Sequence, residues 1–227
     1  MTRTRQPTTR TGPRRRRSRA RRGAAAIMIA ICGATALLVA AVTYPGSAQA
    51  ACGGAYRETV KPPHRGVLPP LAIGDSTLIL SLPTLRHEGI SADARGCRQY
   101  TEGLAMLAGL RSQGRLARVV IVALGANGPV TETNVNRALS ILGKTRVLVM
   151  VTHWKPGHRA GNDTALIRRE ARRHPRRVVV LDWIVASSGH PGWFQPDGLH
   201  LTFPGAAAFG RFLARAIPLT TPHPTTV

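Results

Sequence analysis

Short apolar runs recur between residues 67 and 182, separated by segments in which apolar residues return every three or four positions. Each run is short enough for one strand. Residues 118–124 (Arg-Val-Val-Ile-Val-Ala-Leu) show no polar alternation after the first residue, which predicts a strand covered on both faces. The predicted strands are 67–73, 89–92, 118–124, 146–151 and 178–182.

The segments between these strands have helical periodicity. Residues 132–142 place Val135, Leu139 and Leu142 on one face of a predicted helix. The predicted helices are 78–86, 99–113, 132–142, 163–174 and 204–217. Strands that alternate with helices at this spacing predict an α/β fold, in which right-handed crossovers build a parallel five-stranded sheet with helices on both faces, a three-layer sandwich.

The first fifty residues have the organisation of a targeting segment. Residues 1–23 contain ten arginines and no acid, and residues 24–42 are nineteen uncharged, mostly apolar residues. A basic stretch before an apolar one is typical of a signal peptide or a signal anchor. Ala48-Gln49-Ala50 would suit a signal peptidase that cleaves before Ala51, and both cleavage and retention as an anchor remain open. We expect an extracytoplasmic protein, secreted or held at the membrane by this segment alone.

The net charge is compatible with an extracytoplasmic protein. The whole chain carries +22, but the 22 basic residues after residue 23 face ten acids, which leaves +12. A basic exported domain favours anionic surfaces such as cell-wall polymers, although an arginine-rich composition of the source would have the same effect. Nucleic acid is not an expected partner, because the arginine run leads directly into an apolar segment.

Three cysteines are present, and one of them, Cys32, lies in the apolar targeting segment. Cys52 and Cys97 are therefore the pair left in the exported part, where a disulfide is favoured. Two free thiols remain the alternative. Residues 51–66 are predicted as an irregular lead-in, residues 67–217 as the folded domain, and residues 218–227 as a disordered tail.

Two polar segments follow the apolar runs at the places where an α/β sheet holds its ligands. Gly74-Asp75-Ser76 follows the first predicted strand, and Asp197-Gly198-Leu199-His200 precedes the last predicted helix. A serine is a weak nucleophile until a base accepts its proton and a third group orients that base. Asp197 and His200 can supply both, although a turn serine and a structural histidine are the ordinary alternatives.

The order of these segments resembles that of the SGNH/GDSL family of esterases and acyltransferases, over residues 68–217. Arg95-Gly96-Cys97 and Gly125-Ala126-Asn127-Gly128 occupy the family's two intermediate motifs. The resemblance implies a flavodoxin-like sheet, Ser76 as nucleophile, His200 as base and Asp197 as its partner. It also implies an oxyanion hole made by the N–H groups of Ser76 and Gly96 and the amide of Asn127.

Gly128 stands where the family commonly has an aspartate after the asparagine. This departure makes the chain more similar to the exported domains of polysaccharide and peptidoglycan O-acetyltransferases. The expected function is an exported serine esterase for acetyl or short acyl esters. An O-acyltransferase that uses a cell-wall or polysaccharide hydroxyl is the alternative, and a non-catalytic carbohydrate-binding module is a second one.

The remaining candidates concern the walls of the site. His153 and Trp154 end the fourth strand and could line a cleft, and residues 190–194 could form an acyl or sugar pocket or simply pack beneath the loop. No His/Cys/Asp cluster has the spacing of metal ligands, so neither a metal nor a cofactor is expected. We expect a monomer that takes a small-molecule or polysaccharide acyl ester.

Overall fold

The computed structural model describes residues 52–220. The predicted targeting segment, its cleavage point before Ala51, and residues 221–227 lie outside the described residues. Within 52–220, no helix combines the length and apolar character needed to cross a membrane.

Six strands form the main sheet, and two short strands form a separate hairpin. The main-sheet strands are β1 (Ala55–Glu58), β2 (Leu71–Gly74), β3 (Ser91–Arg95), β4 (Val119–Ala123), β5 (Val147–Val151) and β8 (Val178–Leu181), and the hairpin strands are β6 (Trp154–Lys155) and β7 (Arg159–Ala160). The order across the main sheet is β1-β3-β2-β4-β5-β8. The last five strands in this order are mutually parallel, which confirms the predicted α/β class and gives the flavodoxin-like strand order.

The sixth strand corrects the prediction of a five-stranded sheet. β1 lies in the segment predicted as an irregular lead-in and pairs antiparallel with β3, with Ala55 opposite Arg95. Its residues Ala-Tyr-Arg-Glu are largely exposed and carry no apolar run, so the pairing to β3 makes the strand. A disulfide between Cys52 and Cys97 attaches the start of this segment to the turn after β3.

Helices cover both faces of the sheet. They are α1 (Ser76–Ile79), α2 (Leu82–His87), α3 (Tyr100–Ser112), α4 (Glu132–Leu142), α5 (Thr164–Arg173), α6 (Trp183–Ser187) and α7 (Phe203–Leu213), with 3-10 turns at Pro191–Trp193 and Ala214–Thr220. In β4, Val119 and Ile121 point into the core beneath α1, α2 and α7, whereas Val120 and Val122 point into the core beneath α3 and α4. All five residues of β4 are buried, as the unbroken apolar run predicted.

Several element boundaries differ from the prediction, two of them for a visible reason. The predicted helix 78–86 is divided into α1 and α2, and α2 restarts with Pro83 in its first turn. Proline suits that place because it lacks an N–H and the first turn of a helix needs none. Residues 218–220 belong to the 3-10 turn Ala214–Thr220 and not to the predicted disordered tail.

Candidate active site

The turn from β2 into α1 presents Ser76 at the carboxyl edge of the sheet. Gly74 allows the close packing of this turn, because a Cβ at that position would lie 2.5 Å from the Cβ of Leu78. Asp75 caps α1 by accepting hydrogen bonds from the N–H and the hydroxyl of Thr77, at 3.0 and 2.8 Å. Ser76 is therefore the first residue of a short helix, where a backbone N–H has no intrahelical acceptor.

Ser76, His200 and Asp197 form a continuous chain of side-chain contacts, although Ser76 and His200 are 124 positions apart in the sequence. The Oγ of Ser76 lies 3.0 Å from the Nε2 of His200. The Nδ1 of the same ring lies 2.5 Å from the Oδ2 of Asp197. This order of atoms leaves Nε2 free to accept the hydroxyl proton while Nδ1–H donates to the carboxylate, which is the arrangement that activates a serine nucleophile.

The carboxylate of Asp197 also fixes its own loop. Its Oδ1 accepts from the backbone N–H groups of Leu199 and His200, at 2.9 and 3.0 Å. Partial burial favours the neutral acid, but the hydrogen bonds from the His200 ring and these two N–H groups outweigh it, so the pKa of Asp197 lies below its usual value. The carboxylate of Asp197 thus remains charged beside the ring of His200.

Asp75, next to Ser76, has the opposite tendency. It is almost fully buried, and this burial raises its pKa even though Thr77 hydrogen bonds and the nearby His153 act in the other direction. Its contacts are those of a helix cap, and its side chain makes no hydrogen bond to Ser76 or His200 among the described residues.

The loop after β4 carries Asn127, another polar side chain that the sequence predicts for the site. The Nδ2 of Asn127 is buried and has no hydrogen-bond partner among residues 52–220. Its backbone carbonyl accepts from the Nε2 of Gln99 at 2.8 Å, which anchors the loop. Gly125 has φ +138°, and a Cβ there would lie 2.1 Å from the ring of His153, so only glycine fits that position. The Asn127 amide is thus a buried donor without an acceptor among residues 52–220.

Gly96 lies buried in the turn after β3, at the same edge of the sheet. Two neighbours hold this turn. Cys97 is bonded to Cys52, and the buried Arg98 donates to the carbonyl oxygen of Gly74 at 3.1 Å and to that of Asp93 at 2.7 Å. The guanidinium of Arg98 thereby links the Gly96 turn to the strand end that precedes Ser76.

The β6–β7 hairpin contacts the loop that carries Asp197. The N–H of Gly157 donates to the carbonyl of Asp197 at 2.8 Å, and the Nδ1 of His158 lies 3.3 Å from the carbonyl of Gly198. The ring of His158 stacks on Trp154 with a centroid separation of 3.8 Å. His158 has φ +55°, a conformation uncommon for a residue with a side chain, and such conformations cluster at functional sites.

Sequence reasoning missed the role of this hairpin, because two-residue strands give no periodic signal. It also assigned His153 only to the wall of a cleft. His153 lies 3.2 Å from the Oδ1 of Asp163, and the Oδ2 of Asp163 accepts from the N–H of Val130 at 2.6 Å. This pair supports the loop that carries Asn127 from below. A histidine two positions after an all-apolar strand was the signal in the sequence.

The aromatic side chains of segment 190–194 are mainly packed against other side chains of the protein. Trp193 stacks between His190 and Trp183, with centroid separations of 3.8 and 5.5 Å. Phe194 is buried and touches a small cavity of about 20 Å³ between Asp75 and His153. The packing alternative therefore describes Phe194. Among residues 52–220, no group of three His, Cys, Asp or Glu side chains is arranged to hold a metal ion.

Comparison with known sequences gives no matching family model, but curated relatives are found. The peptidoglycan O-acetyltransferase OatA of Listeria monocytogenes is 31% identical over 141 residues, which cover 61% of this chain and 22% of the relative. The O-acetyltransferase OatA of Staphylococcus aureus is 28% identical over 151 residues, covering 65% of this chain and 25% of the relative. The matched part of this chain thus spans about a quarter of the length of these relatives.

Solved structures agree with the sequence relatives. The catalytic domain of Streptococcus pneumoniae peptidoglycan O-acetyltransferase A matches with a TM-score of 0.58 at 19% identity, over 68% of this chain and 94% of that domain. The chain has the SGNH-hydrolase fold and is related in sequence to peptidoglycan O-acetyltransferases. A Clostridium thermocellum family 3 carbohydrate esterase matches with a TM-score of 0.50 at 13% identity, over 67% of this chain and 96% of the esterase.

Proposed function

We propose that this chain is a serine enzyme that processes acyl esters through an acyl-enzyme on Ser76. The observation that carries the proposal is the unbroken contact from the Oγ of Ser76 through the ring of His200 to the carboxylate of Asp197, at 3.0 and 2.5 Å. Each group then has one role, with Ser76 as the nucleophile and His200 as the base. Asp197 holds the tautomer of the His200 ring and stabilises the imidazolium.

In the first half-reaction the Ser76 oxygen attacks the ester carbonyl while the Nε2 of His200 takes its proton. The oxyanion is held by the amide of Asn127 and by the N–H groups of Ser76 and Gly96. Collapse expels the alcohol, which takes the proton back from His200, and leaves the acyl group on Ser76. In the second half-reaction His200 takes the proton of an acceptor hydroxyl as that oxygen attacks the acyl-enzyme. The ring then returns the proton to the oxygen of Ser76 as the bond to the acyl group breaks.

The acceptor decides between two activities. Water gives an esterase, and a sugar hydroxyl gives an O-acyltransferase. The name of the Listeria relative favours transfer of acetyl groups to peptidoglycan, and the name of the Staphylococcus relative favours O-acetyl transfer. The carbohydrate esterase neighbour has the same fold with a hydrolytic name. We take a short acyl ester as donor and a polysaccharide as the natural acceptor, with a monomer as the active unit.

The proposed location is extracytoplasmic, with the N-terminal segment as signal peptide or anchor. Ten arginines before nineteen uncharged residues support it, and so does a disulfide between Cys52 and Cys97, since such bonds persist in oxidising compartments. Fractionation of cells that express the full chain should place it in the envelope or medium, with Ala51 first if it is cleaved. A cytoplasmic protein with an intact N-terminus would contradict this location.

Hydrolysis of short p-nitrophenyl esters, with and without a soluble peptidoglycan acceptor, tests the activity. We expect p-nitrophenol release, and acceptor-stimulated release together with an acylated glycan would identify a transferase. Binding of the glycan without turnover of any ester would instead indicate a carbohydrate-binding module.

A further inference from the structure

A cleft of about 500 Å³ lies between the loop that carries Asn127 and the β6–β7 hairpin. It is lined by Ala126 and Gly128, the two neighbours of Asn127, and on its other side by Lys155 and Arg159 of the β6–β7 hairpin. Cavities of a few hundred Å³ are the ordinary size for small-molecule subsites. Ala126 and Gly128 both face this cleft, and Asn127 between them is the proposed oxyanion donor. We therefore expect one part of a substrate to lie in the cleft while its ester group lies at Ser76.

The two cations of the cleft differ in how they are engaged. The Nζ of Lys155 donates to the carbonyl oxygen of Gly125 and lies 3.4 Å from that of Gly128. Lys155 therefore ties the hairpin to the Asn127 loop. Arg159 donates through Nε to the carbonyl of Pro156 at 3.2 Å, and none of the hydrogen bonds within residues 52–220 involves its two terminal nitrogens.

One carboxylate lines the cleft, and it is already engaged. Asp163 is 6% exposed, its Oδ2 accepts from Val130, and its Oδ1 lies beside the ring of His153. Although burial opposes it, the contacts with His153 and with the N–H of Val130, together with the charge of Lys155, hold the pKa of Asp163 below its usual value. None of the salt bridges among residues 52–220 involves Arg159, so its positive charge is unpaired at the rim of the cleft.

We propose that this cleft binds a carboxylate carried by the glycan substrate, with Arg159 as the residue that recognises it. The proposal rests on the proposed function, since it names a feature of that substrate. The planar fork of an arginine, with both terminal nitrogens available, matches the two oxygens of a carboxylate. Such a contact would orient a cell-wall glycan so that one of its hydroxyl or ester groups reaches Ser76.

The first test is equilibrium binding, which requires no turnover. In the full chain with Ser76→Ala, affinity for a soluble peptidoglycan fragment is measured by calorimetry, alone and combined with Arg159→Gln or Arg159→Lys. Loss of one charge-assisted contact should weaken binding about 10-fold in Arg159→Gln, and Arg159→Lys should be intermediate. Arg172→Gln is the matched control, because it removes an equal charge from the exposed face of α5, away from the cleft.

The ligand supplies the second control. The same fragment with its carboxylates converted to amides should bind the parent protein about 10-fold more weakly, and Arg159→Gln should then cause no further loss. In the Ser76 enzyme, Arg159→Gln should raise KM for the carboxylated fragment by a larger factor than KM for the amidated fragment, because only the former carries the group that Arg159 contacts.

The proposal is overturned if Arg159→Gln binds the fragment as Arg172→Gln does, if amidation does not matter, or if the parent protein binds no fragment. Each of these results leaves the proposed function intact as long as p-nitrophenyl acetate is hydrolysed. Absence of any ester hydrolysis by the Ser76 enzyme would instead refute the proposed function, while the binding data would still decide whether the cleft recognises a carboxylate.

Discussion

Gly157 and Asp197 are joined by a backbone hydrogen bond of 2.8 Å, from the N–H of the β6–β7 turn to the carbonyl of the residue whose carboxylate contacts His200. The next pair along the two segments is also in contact, because His158 lies against Gly198. The loop from Asp197 to His200 is thus held by two sets of contacts. The carboxylate of Asp197 binds the backbone within the loop, and the β6–β7 hairpin binds the loop from a separate segment. We infer that the position of His200 depends on a segment of which no residue takes part in the chemistry.

Gly198→Ala should therefore impair catalysis beyond its effect on stability. Gly198 has φ +66°, and a Cβ there would lie 2.6 Å from the backbone N of His158, so the loop and the hairpin must separate. The left-handed conformation alone costs a residue with a side chain about 1–2 kcal/mol. We expect kcat for p-nitrophenyl acetate to fall more than about 10-fold, because small displacements of a catalytic group are costly.

Gly89→Ala is the matched control for that substitution. Its φ is +81° and no atom lies within 4 Å of the added Cβ, so it has the backbone cost without the collision. It should lower the free energy of unfolding, measured in urea, and leave kcat unchanged. Equal kcat values for Gly198→Ala and Gly89→Ala would show that the hairpin does not position the loop.

Asp75→Asn should change how stability depends on pH. Burial raises the pKa of Asp75 above its ordinary value of 3.8, so the folded state holds this proton more tightly than the unfolded state. The contribution of Asp75 to stability is then complete below pH 3.8 and is lost as the pH rises through its folded pKa. Asparagine can still accept from Thr77 through its oxygen but cannot ionise.

Urea unfolding of both proteins at a series of pH values measures this effect. The free energy of unfolding of Asp75→Asn, minus that of the parent protein, should increase as the pH rises above 3.8 and level off above the folded pKa. The constant offset at low pH reports the other costs of the amide. A difference that stays flat across this range would mean that Asp75 titrates alike in both states.

Asn127→Ala should lower kcat by about 10²–10³ with little change in KM, which is the usual loss for one oxyanion donor. The buried Nδ2 of Asn127 has no acceptor among the described residues, so its removal leaves no protein group unpaired. Asn134→Ala is the control. It removes the side chain that accepts from the N–H of Thr131 at the start of α4, and it should cost about 1 kcal/mol of stability without affecting kcat. A kcat for Asn127→Ala within a few-fold of the parent would remove this residue from the oxyanion hole.

The Cys52–Cys97 bond closes a 45-residue separation and joins β1 to the Gly96 turn. Replacing both cysteines by serine should lower the free energy of unfolding by about 4 kcal/mol in the chain-entropy model of disulfides. Unfolding in urea with and without reductant checks this, beside mass spectrometry of the unreduced protein. Identical stability under both conditions, or free alkylation of both thiols without reductant, would contradict it.

The sheet was largely predictable because the residues of its central strands are themselves a sufficient signal. β4 and β5 are all-apolar runs, and α4 was predicted with the bounds that the structure gives it. β1 was not predictable, since its exposed Ala-Tyr-Arg-Glu segment becomes a strand only by pairing with β3. The start of β2 was placed too early, at residue 67, because Pro69 and Pro70 delay the ladder until Leu71.

The residues of the candidate site also fall into a group that the sequence predicts and a group that it does not. Ser76, Asn127 and the Asp197–His200 segment each follow a signal that is local in sequence, so the sequence was sufficient to propose them. Their supports could not be proposed in this way, because the contacts of Arg98 with Gly74 and of Gly157 with Asp197 arise only when the strand ends converge. Reacting groups can be found in a sequence by their chemistry, but the groups that hold them are defined by tertiary contact.

The central claim is that Ser76 and His200 act as one unit on an acyl ester. Hydrolysis of p-nitrophenyl acetate by Ser76→Ala, His200→Ala and the double variant, with folding checked by circular dichroism, tests it most directly. Each single variant should lose several orders of magnitude in kcat, Asp197→Asn should lose less, and the double variant should be scarcely worse than either single one. A folded Ser76→Ala that keeps substantial esterase activity would contradict the account.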